Sequence, residues 1–530
     1  MLKHKQEEFG IMDHHSNTWR RRHKAAFPAP LQISALQISL GSIALLLTAG
    51  ATPAHAVTPD GGLLNCQGYS KCPTTSYATI LQQSADARHV IAVDNSLEAS
   101  ALAQYQKGNV TAAQAEPLLG KLVIYDPSLS VGNNVPCATC HTATAGFTGG
   151  VSVLNNTNVS YGGSVGQRTS NRKPMSYAYA PFAPVLFYRP STGDFVGGNF
   201  WDMRATGLVT GNPAGDQALG PPLNPVEMAN PDPACAVYHL AIGPYAGLFQ
   251  RVWGAGAFTI AWPANVEKLC SMPLSTTNAN PTILKLSPAD RALATSDFDD
   301  MGTSAAAYEA GPEVSPFSSL FDMWQAGKAQ LTAQEMRGYK LFIGTAKCTQ
   351  CHVATGTQPL FTDFTAVNLG IPRNPTLPYL YENRRDGFGY DYNPVGPNVV
   401  DNGVGAFLAS AADTNPQWQA LAPKFMGTFQ VATARNAAKM LYPTFEKTYM
   451  HNGYFKTLKQ VVHFYNTRDV LARCPGDPPI GVSGSGTTCW PAPEQPANEN
   501  TTQLGNLGLT SAQEDDIVAF LGTLSDGVTP

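Results

Sequence analysis

Two short stretches carry residue types and spacing suited to chemistry. Cys137-Ala-Thr-Cys140-His141 and Cys348-Thr-Gln-Cys351-His352 each set two thiols three positions apart, with an imidazole directly behind the second. Thiols at that spacing can form thioethers with both vinyl groups of a haem, and the adjoining His is then delivered to one face of the iron. Zinc needs four donors close together, yet the motifs lie about 210 residues apart. A thioredoxin-like dithiol would be framed by a βαβ pattern, and none surrounds either pair. The motifs therefore predict two covalently bound c-type haems. Their thioethers come from Cys137, Cys140, Cys348 and Cys351, and their proximal iron ligands are His141 and His352. The group opposite each His then decides between electron transfer and peroxide chemistry.

Something must hold those motifs in place. A helix-like segment precedes each one, TAAQAEPLLGKLVIYD before the first and LTAQEMRGYKLFIG before the second. In the latter, Met336, Tyr339, Lys340, Phe342 and Ile343 form an apolar face, and Thr332 with Glu335 reads as a capping box. A closing helix is expected in LTSAQEDDIVAFLGTL, with Ile517, Phe520 and Leu521 at helical spacing behind a Thr510/Glu514 start. Strand signals are few, so the expected fold is mainly α with long loops. Residues 271–315, rich in Ser, Thr, Asn, Ala and Pro, read as a linker or elaborated surface loop, and 475–506 as another loop.

At 530 residues the chain is long enough for more than one domain. Arg20, Arg21 and Arg22 precede the apolar stretch 31–50, and Ala54-His55-Ala56 offers a small-residue cleavage site. Export to the periplasm with cleavage before Val57 is expected; the rival is an uncleaved anchor, since about 20 apolar residues approach a bilayer's span. Cleavage would remove six of the 34 basic and three of the 38 acidic residues, leaving a net charge of about −7. An acidic surface argues against nucleic acid and suits a basic redox partner. Of the ten cysteines, six lie outside the motifs. In an exported protein they suggest disulfides, and pairing sequence neighbours gives 66–72, 235–270 and 474–489, one of about 15 connectivities.

Over residues 110–527 the chain resembles the bacterial di-haem cytochrome c peroxidase and MauG superfamily. The resemblance rests on FWDMRATG (Phe200–Gly207), DQALGPPLNPVEM (Asp216–Met228), PLFTDFTAVNLGIPRNP (Pro359–Pro375), TYMHNGYFKTLKQVVHFYNTRD (Thr448–Asp469) and the closing helix. It implies two cytochrome c-like domains with one haem each. The expected boundaries are a signal peptide at 1–56, an extension at 57–110, a peroxidatic domain at 111–270, a linker or insertion at 271–328 and an electron-transfer domain at 329–530. The resemblance further implies hydrogen peroxide as substrate, reduced to water through a high-valent two-haem intermediate, and a small c-type cytochrome or cupredoxin as electron donor. It also implies an inter-domain calcium ion and a monomer or homodimer with no stable membrane anchor.

The same resemblance assigns roles residue by residue. Gln217 and Glu227 match the distal-pocket residues of the first haem, although Asn224-Pro225-Val226-Glu227 also reads as an ordinary helix start. Relatives in the family place a second His shortly after the first motif, but no His occurs from 142 to 238 here. Unless Met175 takes that place, the first iron is open. Tyr465 falls where the second haem commonly receives a Met, as in the tyrosine-ligated, BthA-like branch. Helical spacing alone groups Tyr465 with Leu458, Val461 and Val462 as a core face, and Met450 is the rival ligand. Trp201 matches an electron-relay tryptophan, Asn171 a calcium-binding position, and His451 and Arg435 the pocket of the second haem. Met203 stands where the family commonly has Gly, and Ala346 where MauG-like members carry a relay Trp. The alternatives are a MauG-like oxidase that modifies a partner protein, or a di-haem electron carrier without peroxidase activity.

Overall fold

The computed structural model describes residues 84–528, apart from 158, 160, 167, 276–282, 383–384 and 392. The export segment and the Cys66–Cys72 pairing lie outside the described residues. Eight helices frame the sites: α1 (Ala85–Gln106), α2 (Ala112–Tyr125), α3 (Pro213–Ala218), α4 (Pro233–Ile242), α5 (Pro288–Glu309), α6 (Ala333–Ile343), α7 (Leu458–Thr467) and α8 (Ser511–Gly522). Among the described residues, extended structure amounts to three two-stranded ribbons of two or three residues per strand. The mainly helical, loop-rich architecture expected from the sequence is what the chain adopts.

Each motif hangs from a pair of crossed helices. α2 crosses α5, and α6 crosses α8, each at a glycine that lets the backbones touch. A Cβ on Gly120 would meet the Ser304 carbonyl oxygen at 1.8 Å, and one on Gly338 would meet that of Asp516 at 1.9 Å. Around the first crossing lies a core that includes Leu119, Leu122, Val237, Phe298, Met301 and Ala305. Around the second lies a more aromatic one, with Phe321, Phe342, Phe361, Phe464, Trp490 and Phe520. Thr332 caps α6 with Glu335 as expected. Thr510 caps α8 through Gln513; Glu514 instead turns inward, 2% exposed, and accepts from Asn466.

α5 lies inside 271–315, the stretch read as a linker or elaborated surface loop, and packs that part of it into the first core. Ser287 accepts from the Asp290 backbone N–H, Pro288 occupies the first turn, and Ala294, Phe298, Met301, Ala305 and Tyr308 enter the core at helical spacing. Small residues hide this face from a compositional reading, because Ala and Gly bury little area yet permit close approach. A correction concerns Asn224. It ends a one-turn helix, Gly220–Leu223, and residues 225–228 form a turn rather than a helix start, with the Asn224 side chain accepting from the Val226 N–H at 3.1 Å. Cys235–Cys270 and Cys474–Cys489 pair as expected. Met203 is fully buried at φ 60°, the left-handed region that favours glycine, which accounts for glycine being common there in the family.

Candidate functional site

Both CxxCH segments wind into a short 3-10 turn, Cys137–Thr139 and Cys348–Gln350. That turn brings both thiols and the following imidazole to one side. His141 Nδ1 lies 3.1 Å from the Phe147 carbonyl oxygen, and His352 Nδ1 lies 2.8 Å from that of Phe361. Bonding through Nδ1–H leaves Nε2 with its lone pair free for a metal. Burial holds both rings below the ordinary His range, His141 at about 4, so both are neutral as ligation requires. The four motif thiols are unpaired, whereas the other four described cysteines form disulfides. Unpaired thiols beside a neutral imidazole at a cavity wall are the donor set a thioether-bound haem needs.

At the first motif, adjoining cavities of about 40 and 600 Å³ share Cys140, His141, Tyr161, Tyr177, Gln217 and Glu227 in their walls. α3 delivers Gln217, its start fixed by Asn212 at the cap and Pro213 at the first position. The turn at 225–228 delivers Glu227, whose Oε1 accepts from Asn224 Nδ2 at 2.5 Å. Burial pushes the Glu227 carboxyl above its ordinary value, opposed by Arg204 and by the Asn224 bond. Among the described residues no second His lines either cavity; the next in sequence, His239, is buried on α4 outside both walls. Sequence reasoning missed Glu309. This last residue of α5 is 1% exposed, lines the same cavity, and has both carboxyl oxygens unpartnered.

At the second motif, a cavity of about 240 Å³ is lined by Cys348, Cys351, His352, Met450 and Tyr465. Leu458, Val461 and Val462 line it too, so the apolar face of α7 borders this cavity and carries Tyr465 with it. Tyr465 and Met450 both reach the wall. Burial and the nearby motif thiols push the Tyr465 phenol well above its ordinary range.

The remaining site residues separate by position. Trp201, Lys173 and Met175 line both the larger first cavity and the second, forming a partition, with Trp201 Nε1 donating to the Lys173 carbonyl at 2.9 Å. Arg435 lines the second cavity but is neutralised there, giving paired hydrogen bonds of 2.9 and 2.7 Å to Asp322. His451, expected in that pocket, is displaced from its wall: it stacks on Phe429 at 3.6 Å, and Phe429 takes the lining position. Ala346 also lines the cavity. Asn171 donates to Asp401, whose carboxylate is held by Arg172 at 2.6 and 2.7 Å. The Asp401 carboxylate beside Asn171 is thus committed to Arg172, and a calcium ion at this place would have to draw mainly on backbone carbonyl oxygens.

The di-haem cytochrome c peroxidase family model matches residues 114–330. The methylamine utilization protein MauG of Paracoccus denitrificans is 31% identical over 428 residues, covering 78% of this chain and 91% of its own. The cytochrome-c peroxidase IdrP1 of Denitromonas iodatirespirans is 27% identical over 412 residues, covering 77% and 80%. Among solved structures, a tyrosine-to-methionine variant of the diheme peroxidase BthA from Burkholderia thailandensis superposes with a TM-score of 0.57 at 25% identity, covering 78% of this chain and 86% of that one. Two haem-binding motifs, each set into a cavity and spanned by relatives of this kind, make the chain a member of the di-haem cytochrome c peroxidase and MauG family.

Proposed function

We propose that the chain reduces hydrogen peroxide to water at the first cavity, with electrons from a small c-type cytochrome or cupredoxin entering by way of the second. One observation carries this: Glu227 and Gln217 converge with His141 on a cavity whose walls hold no second His among the described residues. A haem held there by Cys137, Cys140 and His141 would supply the redox-active metal centre for this reduction. Glu227 takes the proton from one peroxide oxygen and returns it to the leaving oxygen, within reach because its turn aims it inward and Asn224 fixes its rotamer. Gln217 donates an amide N–H to orient the substrate. Pro221, Val226 and Met228 line the same wall and exclude bulk water. The net reaction takes up two electrons and two protons per peroxide and yields two waters.

Tyr465 is proposed to join His352 in holding the second haem, where an anionic oxygen donor would lower the potential relative to a thioether. Trp201 in the partition is proposed as the relay between the cavities. The two crossed-helix units support two cytochrome c-like domains, the first extended past residue 270 to include α5. The net charge of about −7 after leader removal suits a basic donor, and periplasmic export remains part of the proposal. No helix among the described residues is long and apolar enough to cross a membrane.

The similarity to MauG supports a second reading, oxidation of a partner protein. Against it stands Ala346, which supplies no redox-active ring where MauG-like members carry Trp. Electron paramagnetic resonance on the mature holoprotein separates these. Peroxidase function predicts one high-spin and one low-spin ferric signal, both fading on stoichiometric peroxide and returning with reduced cytochrome at multiple turnovers. Tyr465→Phe should alter only the low-spin signal; an unchanged spectrum rules out tyrosine ligation. A purely low-spin protein inert to peroxide would be an electron carrier.

A further inference from the structure

Two ammonium groups lie buried beside the second cavity without a carboxylate partner among the described residues. Lys173 is 9% exposed and Lys447 3%, and both line the cavity. They gather on the same segment: Lys173 Nζ donates to Thr148 Oγ1, and Lys447 Nζ donates to the Ala145 carbonyl at 2.9 Å. Lys447 feels repulsion from both Lys173 and Lys439. A buried ammonium without an ionic partner is disfavoured, and an anion placed beside the pair would stabilise both. Burial accordingly pulls the Lys173 ammonium down to about 7.

The other buried cation in the wall, Arg435, is already paired with Asp322, and Lys347 is exposed. Much of the remaining wall is apolar, including Phe342, Leu369, Leu458, Val461 and Leu521. A ligand matching this lining has a broad apolar body and two anionic arms. We propose that Lys173 and Lys447 are the counter-cations of the two carboxylate arms of the haem in the second cavity. This rests on assigning that cavity to a haem. Donor counting divides the roles. Lys447 already gives its three N–H bonds to the carbonyls of Ala145, Asn436 and Lys439, so it is a positioning residue that acts through its fixed charge. Lys173 bonds Thr148 and the Pro174 carbonyl and keeps one N–H for direct contact with a carboxylate.

The test uses the holoprotein with Lys173→Met, Lys447→Met and Lys173→Arg. Haem content is measured by the pyridine haemochrome assay, and spectroelectrochemical titration resolves the two one-electron waves. Removing a fixed positive charge disfavours the reduced state. The expected result is two haems retained, with the reduced-to-oxidised ratio of one wave falling on the order of tenfold at fixed applied potential. Lys173→Arg should restore it. Met variants with two haems and both waves unmoved would overturn the proposal. A parent protein with only one haem would overturn the cavity assignment as well, so the two failures are distinguishable. If Lys447→Met does not fold, for want of donors to three carbonyls, Lys173→Met with its Arg rescue decides alone.

Discussion

Replacing Gly338 by Ala tests whether the helix crossing positions the second motif. A Cβ at Gly338 would sit 1.9 Å from the Asp516 carbonyl oxygen, 2.6 Å from its carbon and 2.9 Å from Phe520 Cβ. The obstacle is backbone, so no rotamer change relieves it, and α6 must back away from α8 by roughly 1.5 Å to restore van der Waals contact. Overpacking of this kind costs about 1–3 kcal/mol, and separating Phe342 from Phe520 forfeits further contact. Alanine's better helix propensity returns about 1 kcal/mol. The expected net loss is about 2 kcal/mol. The assay is denaturant unfolding of the holoprotein, followed by far-ultraviolet circular dichroism and by the Soret band, because Cys348 follows closely on α6. Gly522→Ala is the control: it lies in α8 with nothing within 4 Å of its added Cβ, and should be neutral or slightly stabilising. A Gly338→Ala protein as stable as its parent would refute the crossing as drawn.

Two further outcomes follow from the same geometry. Glu227→Gln keeps the Asn224 contact but loses the proton acceptor, so peroxide-dependent cytochrome oxidation should fall about 10²–10⁴-fold with haem content unchanged; turnover at the parent rate would remove Glu227 from the chemistry. Asp322 is pushed up by burial, but Arg435 and Ser319 outweigh this and hold its carboxyl below the ordinary value. Its contribution is therefore present above the unfolded value near pH ~4 and is lost as pH falls through the lowered folded value. Asp322→Asn strands the fully buried Arg435 side chain and should cost about 3–5 kcal/mol at neutral pH while flattening the acid limb of a stability-versus-pH curve. An unaltered acid limb would show that the pair is not what titrates.

The sequence by itself determined the covalent chemistry and the elements next to it. CxxCH is a local code: two thiols and an imidazole fall on one 3-10 turn whatever surrounds them, so His141 and His352 were legible from spacing. Capping at Thr332 and the apolar face of α8 were legible for the same reason, since both depend on neighbours within a turn or two of helix. α5 was equally present in the chain, as Ser287-Pro288 followed by apolar or small residues at 294, 298, 301, 305 and 308, but composition masked its periodicity. Gln217 and Glu227 became legible only through family resemblance, because no spacing rule joins a short helix to a turn ten residues on.

Tertiary structure alone decided the rest. That Tyr465 and Met450 face one cavity, that Phe429 displaces His451 from its wall, and that Asp322 neutralises Arg435 across 113 residues are outcomes of packing between distant segments. The same holds for the burial of the ionisable groups of Glu309, Lys173 and Lys447. Whether an ionisable side chain is solvated, paired or stranded depends on what the fold brings against it, and one residue's type carries no record of that.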